Sequence, residues 1–150
     1  MKERTERWAA PALSFLLPGL VMLAVSAVLG MAPFGDNTIL ISDMSTQYVE
    51  FFCALKNGDL FFSWSKALGT AYVGVFSYYV SSPLSLLTLL VPNEAMPVGL
   101  LFLAVLKIAL AGLSFCLLIR RRYPLGDGAA VFASVCYALM SYNAVYAICI

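Results

Sequence analysis

The sequence predicts an all-α, polytopic integral membrane protein, because its composition and its long apolar runs both suit a lipid environment. Of its 150 residues, 62% are hydrophobic and only 11% are charged. Soluble domains carry about a quarter charged residues, so a chain this apolar would leave much of its surface unsuited to water. In lipid every backbone polar group must be paired within the protein, and a helix achieves this within one segment.

Three apolar segments predict membrane spans, at about residues 8–31, 97–119 and 129–150. Each is close to the roughly 20 residues that a helix needs to cross the hydrocarbon core. A signal peptide is the alternative for the first, with Val25-Ser26-Ala27 as a weak cleavage signal, but its apolar core should be only about 7–15 residues long. The third run is still apolar where the sequence stops, so we expect an N-terminal part of a longer protein.

Basic residues near the ends of spans predict the topology, because they favour the cytoplasmic side. Two clusters of basic residues lie near span ends. The first contains Lys2, Arg4 and Arg7, and the second is Arg120–Arg122. Both are cytoplasmic only if an even number of spans separates them. The segment 71–91 has a polar middle and Pro83, so we interpret it as interfacial or re-entrant rather than as a full span. Residues 32–96 then form one extracytoplasmic loop with interfacial helices, and the N-terminus lies in the cytoplasm.

Within this loop one amphipathic helix is predicted. Ser42 or Asp43 suits its N-cap, and Asn57-Gly58 is a typical C-terminal stop. Apolar side chains recur at helical spacing on one face: Met44, Tyr48, Phe51, Phe52 and Leu55. The opposite face is polar, so a helix this short is expected to lie along the membrane surface rather than to span it.

Charge and residue types exclude several classes of function. The net charge is +1 and no basic stripe with interleaved aromatics occurs, so no nucleic-acid partner is expected. The chain has no histidine, which removes the commonest general base. Its four cysteines lack metal-site or redox spacing, and we interpret them as small buried hydrophobes. Acid–base chemistry must therefore come from carboxylates, tyrosines or lysines.

Two stretches of the loop carry a resemblance to a known family. The first is Ile41-Ser42-Asp43-Met44-Ser45-Thr46-Gln47-Tyr48-Val49-Glu50-Phe51-Phe52, followed by Asn57-Gly58-Asp59, Trp64 and Gly69. The second is Tyr78-Tyr79-Val80-Ser81-Ser82-Pro83-Leu84. With the spans on either side, over roughly residues 18–145, the chain resembles the start of the YfhO family of bacterial membrane proteins, which is related to the GT-C glycosyltransferases.

The resemblance implies a GT-C-like fold and a membrane glycosyltransferase. Its sugar donor would be a polyprenyl-phosphate carrier, and its acceptor a cell-envelope glycopolymer or glycolipid, such as lipoteichoic acid, outside the bacterial cytoplasmic membrane. In GT-C enzymes an acid of the first outer loop lies in the active site, as base toward the acceptor or as a metal-binding or orienting group. The matching residue is Asp43.

This chain departs from many GT-C relatives directly after that acid, where it has Met44 in place of a second carboxylate. The departure favours a single-carboxylate role for Asp43 over metal coordination. The sequence leaves a divalent metal open as a cofactor, and no motif supports one. A carboxylate suits sugar transfer, because the reaction develops positive charge at the anomeric carbon and removes a proton from the acceptor hydroxyl. The structural alternative for Asp43 is an ordinary helix N-cap, and both roles are compatible.

Four further residues are candidate substrate contacts, each with a structural alternative. Lys107 lies near the middle of the second span, where a charge costs at least about 2.5–3.5 kcal/mol. We expect it to face a carboxylate or the donor phosphate, unless it snorkels or pairs structurally. Glu50 follows Asp43 by two helical turns and so lies near the same face, although a solvated position is the simpler interpretation. Tyr78 and Tyr79 line a sugar or lipid groove or belong to an interfacial aromatic belt.

Two other functions stay open. One is a transporter or flippase of lipid-linked saccharides, in which Lys107 and the acids line a pathway. The other is a non-catalytic membrane scaffold. The substitution Asp43→Asn separates them, because a transferase loses turnover, a transporter loses flux only if Asp43 lines its path, and a scaffold is indifferent.

Overall fold

The computed structural model of the chain describes residues 2–40, 44–59, 61–64 and 69–149. In chain order its elements are α1 (Lys2–Val28), a π-helical turn (Met44–Tyr48), α2 (Val49–Lys56), β1 (Phe62–Ser63), β2 (Thr70–Ala71), α3 (Tyr72–Val75), a second π-helical turn (Phe76–Val80), two 3-10 helices (Pro83–Leu90 and Asn93–Ala95), α4 (Met96–Arg122), α5 (Asp127–Ala138) and α6 (Ser141–Cys149). The predicted, predominantly helical character is confirmed.

The described residues form two compact units. The bundle unit contains α1 and the chain from Ala104 to Ala147, and the loop unit contains the chain from Met31 to Leu103. By length and composition, two described helical segments are able to cross a membrane: Trp8–Val28 and Asn93–Arg122. They correspond to the first two predicted spans. Helix α1 ends before the predicted boundary, because Gly30 adopts a positive φ of 60° that a continuing helix does not allow.

Small side chains let the helices of the bundle unit approach closely. The buried residues Ala10, Cys116 and Ala130 pack together, one from each of α1, α4 and α5. A β-carbon placed on Gly112 would lie 2.2 Å from the backbone oxygen of Ser14. Such small-residue contacts are the usual means by which helices associate in lipid, where apolar burial gives no driving force.

The third predicted span, residues 129–150, is not one straight helix. Helices α5 and α6 are bent by 53° at the break between them, so they form either a broken span or a re-entrant loop. Asn143 Nδ2 donates to the backbone oxygen of Tyr137 at 2.7 Å, which satisfies one carbonyl at the end of α5. This bond links an early residue of α6 to the end of α5 across the bend.

The loop unit has a hydrophobic core of its own. Its fully buried members come from both π-helical turns, α2, α3 and the start of α4: Met44, Phe51, Phe52, Leu55, Tyr72, Val75, Val80, Met96, Leu100 and Leu103. The segment from Tyr72 to Leu90 bends by 105° between Val80 and Pro83. A re-entrant element and a broken span both have such a bend, so the predicted interfacial or re-entrant element stays a prediction.

A short hairpin interrupts the helices of the loop unit. The predicted loop contains helices alone, whereas β1 and β2 pair antiparallel, with Phe62 opposite Ala71 and Ser63 opposite Thr70. The paired strands are two residues long, too short for a period-two pattern in the sequence to reveal them. Gly69, the residue just before β2, has a positive φ of 98°.

Replacing Gly69 with alanine should destabilise the hairpin and displace its aromatic rings. A left-handed backbone costs an ordinary residue about 1–2 kcal/mol, and the new β-carbon would lie 2.8 Å from Phe62 Cζ. Gly58→Ala is the matched control, since Gly58 has φ 94° but open space around it. Both variants should unfold more easily in a thermal scan, but only Gly69→Ala should change Trp64 fluorescence. Equal spectra for the two variants would contradict this account.

Candidate functional site

The candidate site lies in the loop unit, around the helix that follows Asp43. Residues 41–43 are outside the described part of the chain, so the position of Asp43 and its N-cap role stay predictions. The described chain resumes at Met44, which is 5% exposed and belongs to the loop-unit core. The π-helical turn Met44–Tyr48 runs directly into α2. Such turns are rare in proteins and frequently occur at functional sites.

Helix α2 is amphipathic, and its predicted position along the membrane surface stays a prediction. Phe51, Phe52 and Leu55 are buried on one face, whereas Glu50 is exposed on the other. The helix ends at Lys56, as the Asn57-Gly58 signal predicts, and the backbone N–H of Asn57 bonds to the carbonyl of Cys53 at 2.9 Å. Helix α2 is therefore a firmly packed element, and in the sequence Asp43 directly precedes the π-helical turn that leads into it.

Aromatic rings join the two π-helical turns. The ring centroid of Tyr79 lies 5.2 Å from that of Tyr48 and 5.1 Å from that of Phe51. Tyr78 packs edge-on against Tyr79 with centroids 4.6 Å apart, and its own side chain is 77% exposed. Of the two predicted tyrosines, Tyr79 thus anchors the second turn to the first, and Tyr78 presents an open ring beside it. Aromatic pairs of this geometry contribute about 0.5–1.5 kcal/mol beyond burial.

Tyr72 fixes the hairpin end of the unit to α2. Its side chain is 1% exposed, and its hydroxyl donates to the backbone oxygen of Phe51. Burial raises the pKa of Tyr72 to about 12, so this hydroxyl remains a donor throughout the physiological pH range. Tyr72 is therefore a structural residue of the core and not a candidate base.

Lys56 ties the other end of α2 to the chain just after the 3-10 helix Pro83–Leu90. Its Nζ donates to the backbone oxygen of Val91, the residue that follows the 3-10 helix Pro83–Leu90. A positive charge at the C-terminal end of a helix is favourable, because the last carbonyls there lack partners. The sequence places Lys56 on the polar face of its helix, and only the fold reveals this bond.

The remaining predicted site residues lie in different places. Glu50 is exposed in the first turn of α2, and Lys107 is half-buried in the part of α4 that belongs to the bundle unit. Burial and, secondarily, the nearby Glu50 raise the pKa of the Cys53 thiol, which disfavours its reactive thiolate form. The structure thus brings Tyr78 and Tyr79 together with α2, and it leaves Asp43 and Lys107 as separate predictions.

Among the described residues, no three His, Cys, Asp or Glu side chains come together as a metal site would require. Asp59 instead accepts a hydrogen bond from Ser63 Oγ at 2.6 Å, across the approach to the hairpin. Asp59 belongs to the Gly-Asp pair of the first motif, and its partner lies four residues further on. A polar Ser63 directly after Phe61 and Phe62 is the one sequence signal for an inward-facing hydroxyl. The strand is too short for its alternation pattern to show this.

Comparison with protein families supports the resemblance noted above. The model of the family described as "Bacterial membrane protein YfhO" matches residues 14–150, which include both motifs and the chain from Met31 to Leu103 that forms the loop unit. Comparison with curated proteins and with solved structures finds no match. The family match covers far more than half of the chain. The chain therefore belongs to the YfhO family of bacterial membrane proteins.

Proposed function

We propose that the protein is a membrane glycosyltransferase. It moves a sugar from a polyprenyl-phosphate carrier to a cell-envelope glycopolymer or glycolipid, such as lipoteichoic acid, and Asp43 is its catalytic carboxylate. The observation that carries the proposal is the family match over residues 14–150, because it spans the acid-bearing loop and the second motif together. The loop unit supports it, since its own buried core makes it a folded surface rather than a linker between spans.

The proposed location is the bacterial cytoplasmic membrane, with the N-terminus in the cytoplasm. Basic residues lie before the first apolar helix and at the end of α4, where Arg120–Arg122 occupy its last turn. If Trp8–Val28 and Asn93–Arg122 both cross the bilayer and the segment 72–90 does not, both basic ends lie on one side. The positive-inside rule assigns that side to the cytoplasm. The loop unit then lies outside.

In the proposed step, the acceptor hydroxyl oxygen attacks the anomeric carbon of the carrier-bound sugar. The bond between that carbon and the phosphate oxygen breaks, and polyprenyl phosphate leaves as an anion. The carboxylate of Asp43 takes the hydroxyl proton as the new glycosidic bond forms. Its negative charge also stabilises the positive charge that develops on the sugar ring. The phosphate leaves readily, so a second acid is not needed to protonate it.

Tyr78 is the proposed contact for the sugar or for the first isoprene units of the carrier. Its exposed ring stands beside Tyr79, which is itself held by the rings of Tyr48 and Phe51. A ring supported in this way offers a rigid apolar face at low entropic cost. Glu50, also exposed, is the proposed polar group of the acceptor side.

The test is sugar transfer by the purified full-length protein in liposomes. The probes are a polyprenyl-phosphate hexose labelled in its sugar and a glycerol-phosphate polymer as acceptor. A transferase attaches the label to the polymer and releases polyprenyl phosphate. A flippase moves the labelled lipid across the bilayer with its sugar–phosphate bond intact, and a scaffold does neither. Either of these last two results contradicts the proposal.

Lys107→Met should slow transfer about 10²-fold, the effect of removing one group that stabilises developing charge, at an unchanged level of folded protein. The reason is that Lys107 lies half-buried in α4, in a segment apolar enough to span a membrane. A charge kept there normally serves a function. Lys107→Arg is the matched control and should retain most activity. Full activity of Lys107→Met ends the role of this residue in catalysis and leaves it a structural one.

A further inference from the structure

Aromatic side chains of the hairpin in the loop unit point outward, because the serine between them points inward. Ser63 is 1% exposed, and its hydroxyl donates to Asp59 at 2.6 Å, so this residue faces inward. Successive side chains of a strand point to opposite faces. The neighbours Phe62 and Trp64 are accordingly directed outward, and their rings meet edge-on with centroids 5.0 Å apart. Phe61 lies just before β1 and is exposed as well. The residues Phe61, Phe62 and Trp64 are called the aromatic finger below.

The aromatic finger is exposed, and its backbone is hydrogen-bonded to the rest of the loop unit. Phe61 is 78% exposed and Trp64 is 79% exposed. The backbone carbonyl of Phe61 accepts a hydrogen bond from the N–H of Tyr72 at 2.8 Å, which pins the base of the finger to a buried residue. The rings pack against Gly69 because it has no side chain. A β-carbon there would lie 2.8 Å from Phe62 and 3.1 Å from Trp64. Clusters of exposed apolar side chains commonly mark sites of interaction with a protein or a membrane.

The position of the finger in the chain identifies that partner. The loop unit is joined at one end to Trp8–Val28 and at the other to α4, and both helices are long and apolar enough to cross a membrane. The hairpin is therefore tethered close to a bilayer surface. Tryptophan is enriched at this depth, where its ring meets acyl chains and its N–H meets headgroups. In the sequence from Leu60 to Leu68 the single charged residue is Lys66, whose sign suits anionic headgroups.

We propose that the aromatic finger inserts into the lipid interface on its own side of the bilayer. The partner is the headgroup and upper acyl region, and the finger holds the loop unit at that depth. The inference does not depend on the enzymatic proposal, because it uses only the hairpin geometry and the tether. It also holds for either orientation of the protein.

Fluorescence of Trp64 tests the insertion directly. The chain has two tryptophans, so Trp8→Phe leaves Trp64 as the single reporter. The full-length variant is reconstituted in vesicles of phosphatidylcholine and phosphatidylglycerol, some carrying bromine at shallow or deep acyl positions. We expect blue-shifted emission and quenching at least about twofold stronger by shallow than by deep bromine, because interfacial elements lie about 5–10 Å into the headgroup boundary. Aqueous iodide should quench weakly.

Two results overturn the proposal. Water-like emission that iodide quenches and brominated lipid does not would place the finger in solution. Blue-shifted emission that neither reagent quenches would place it against another protein surface, either a later part of the chain or a second copy. The variant Trp64→Phe, which retains Trp8, is the control for quenching efficiency within an apolar helix.

Discussion

Asp43→Asn is expected to slow sugar transfer by about 10²–10⁴-fold, the range that a positioned general base contributes. The amide has almost the shape of the carboxylate but neither accepts the acceptor's proton nor carries the negative charge that stabilises the sugar cation. Initial rates are measured in liposomes with the labelled polyprenyl-phosphate hexose. Binding of the donor should change little, because the expected loss is in turnover.

This substitution also separates catalysis from helix capping. Asparagine caps a helix about as well as aspartate, so a residue that serves only as the N-cap of the helix beginning at Met44 should show no loss of rate. Asp36→Asn is the matched control, since Asp36 is an exposed acid of the same loop unit. It should transfer at the wild-type rate. Undiminished transfer by Asp43→Asn removes this residue from the mechanism and leaves capping as its role.

Gly112→Ala is expected to destabilise the bundle unit by about 1–3 kcal/mol, the usual cost of overpacking a well-packed contact. The new β-carbon would lie 2.2 Å from the backbone oxygen of Ser14 and 3.1 Å from Pro18. Backbone atoms of a helix cannot turn aside as a flexible side chain does, so α1 and α4 must separate. The measurement is the midpoint of thermal unfolding of the purified protein in detergent, together with its level in membranes.

The matched control is Gly19→Ala, in the same pair of helices. A β-carbon on Gly19 would lie 3.6 Å from Ala109 Cβ, which is ordinary van der Waals contact. This variant should unfold close to the wild-type temperature, or slightly above it, because alanine is the better helix former. If the two variants unfold at the same temperature, the close crossing at Gly112 is not a determinant of stability.

Local signals predict much of this fold, because they depend on residues close together in sequence. The apolar stripe of α2, its stop at Asn57-Gly58 and the apolar lengths of α1 and α4 are all of this kind. The two π-helical turns are not, since a helix with more residues per turn has no hydrophobic period that distinguishes it from an α-helix over five residues. The break after α5 was also missed, because it contains neither glycine nor proline and depends on the side chain of Asn143.

The contacts of the candidate site that could not be predicted join residues far apart in sequence. Lys56 belongs to the polar face of α2, yet its bond partner Val91 is 35 residues away. Tyr72 suits an interfacial belt by residue type, but its hydroxyl reaches a backbone oxygen 21 residues earlier. The motif containing Tyr78 and Tyr79 was evident from the family resemblance, whereas the support of Tyr79 by Tyr48 and Phe51 required the folded chain.

The most direct test of the central claim is the side of the membrane on which the loop unit lies. With the four native cysteines replaced by alanine, single cysteines are placed at two exposed positions, Gln47 in the loop unit and Tyr123 after the triple arginine. Intact cells are then treated with a maleimide that cannot cross the membrane. If the loop unit lies outside, Gln47→Cys is labelled without lysis and Tyr123→Cys only after lysis. The reverse pattern, or labelling of both in intact cells, would contradict this topology.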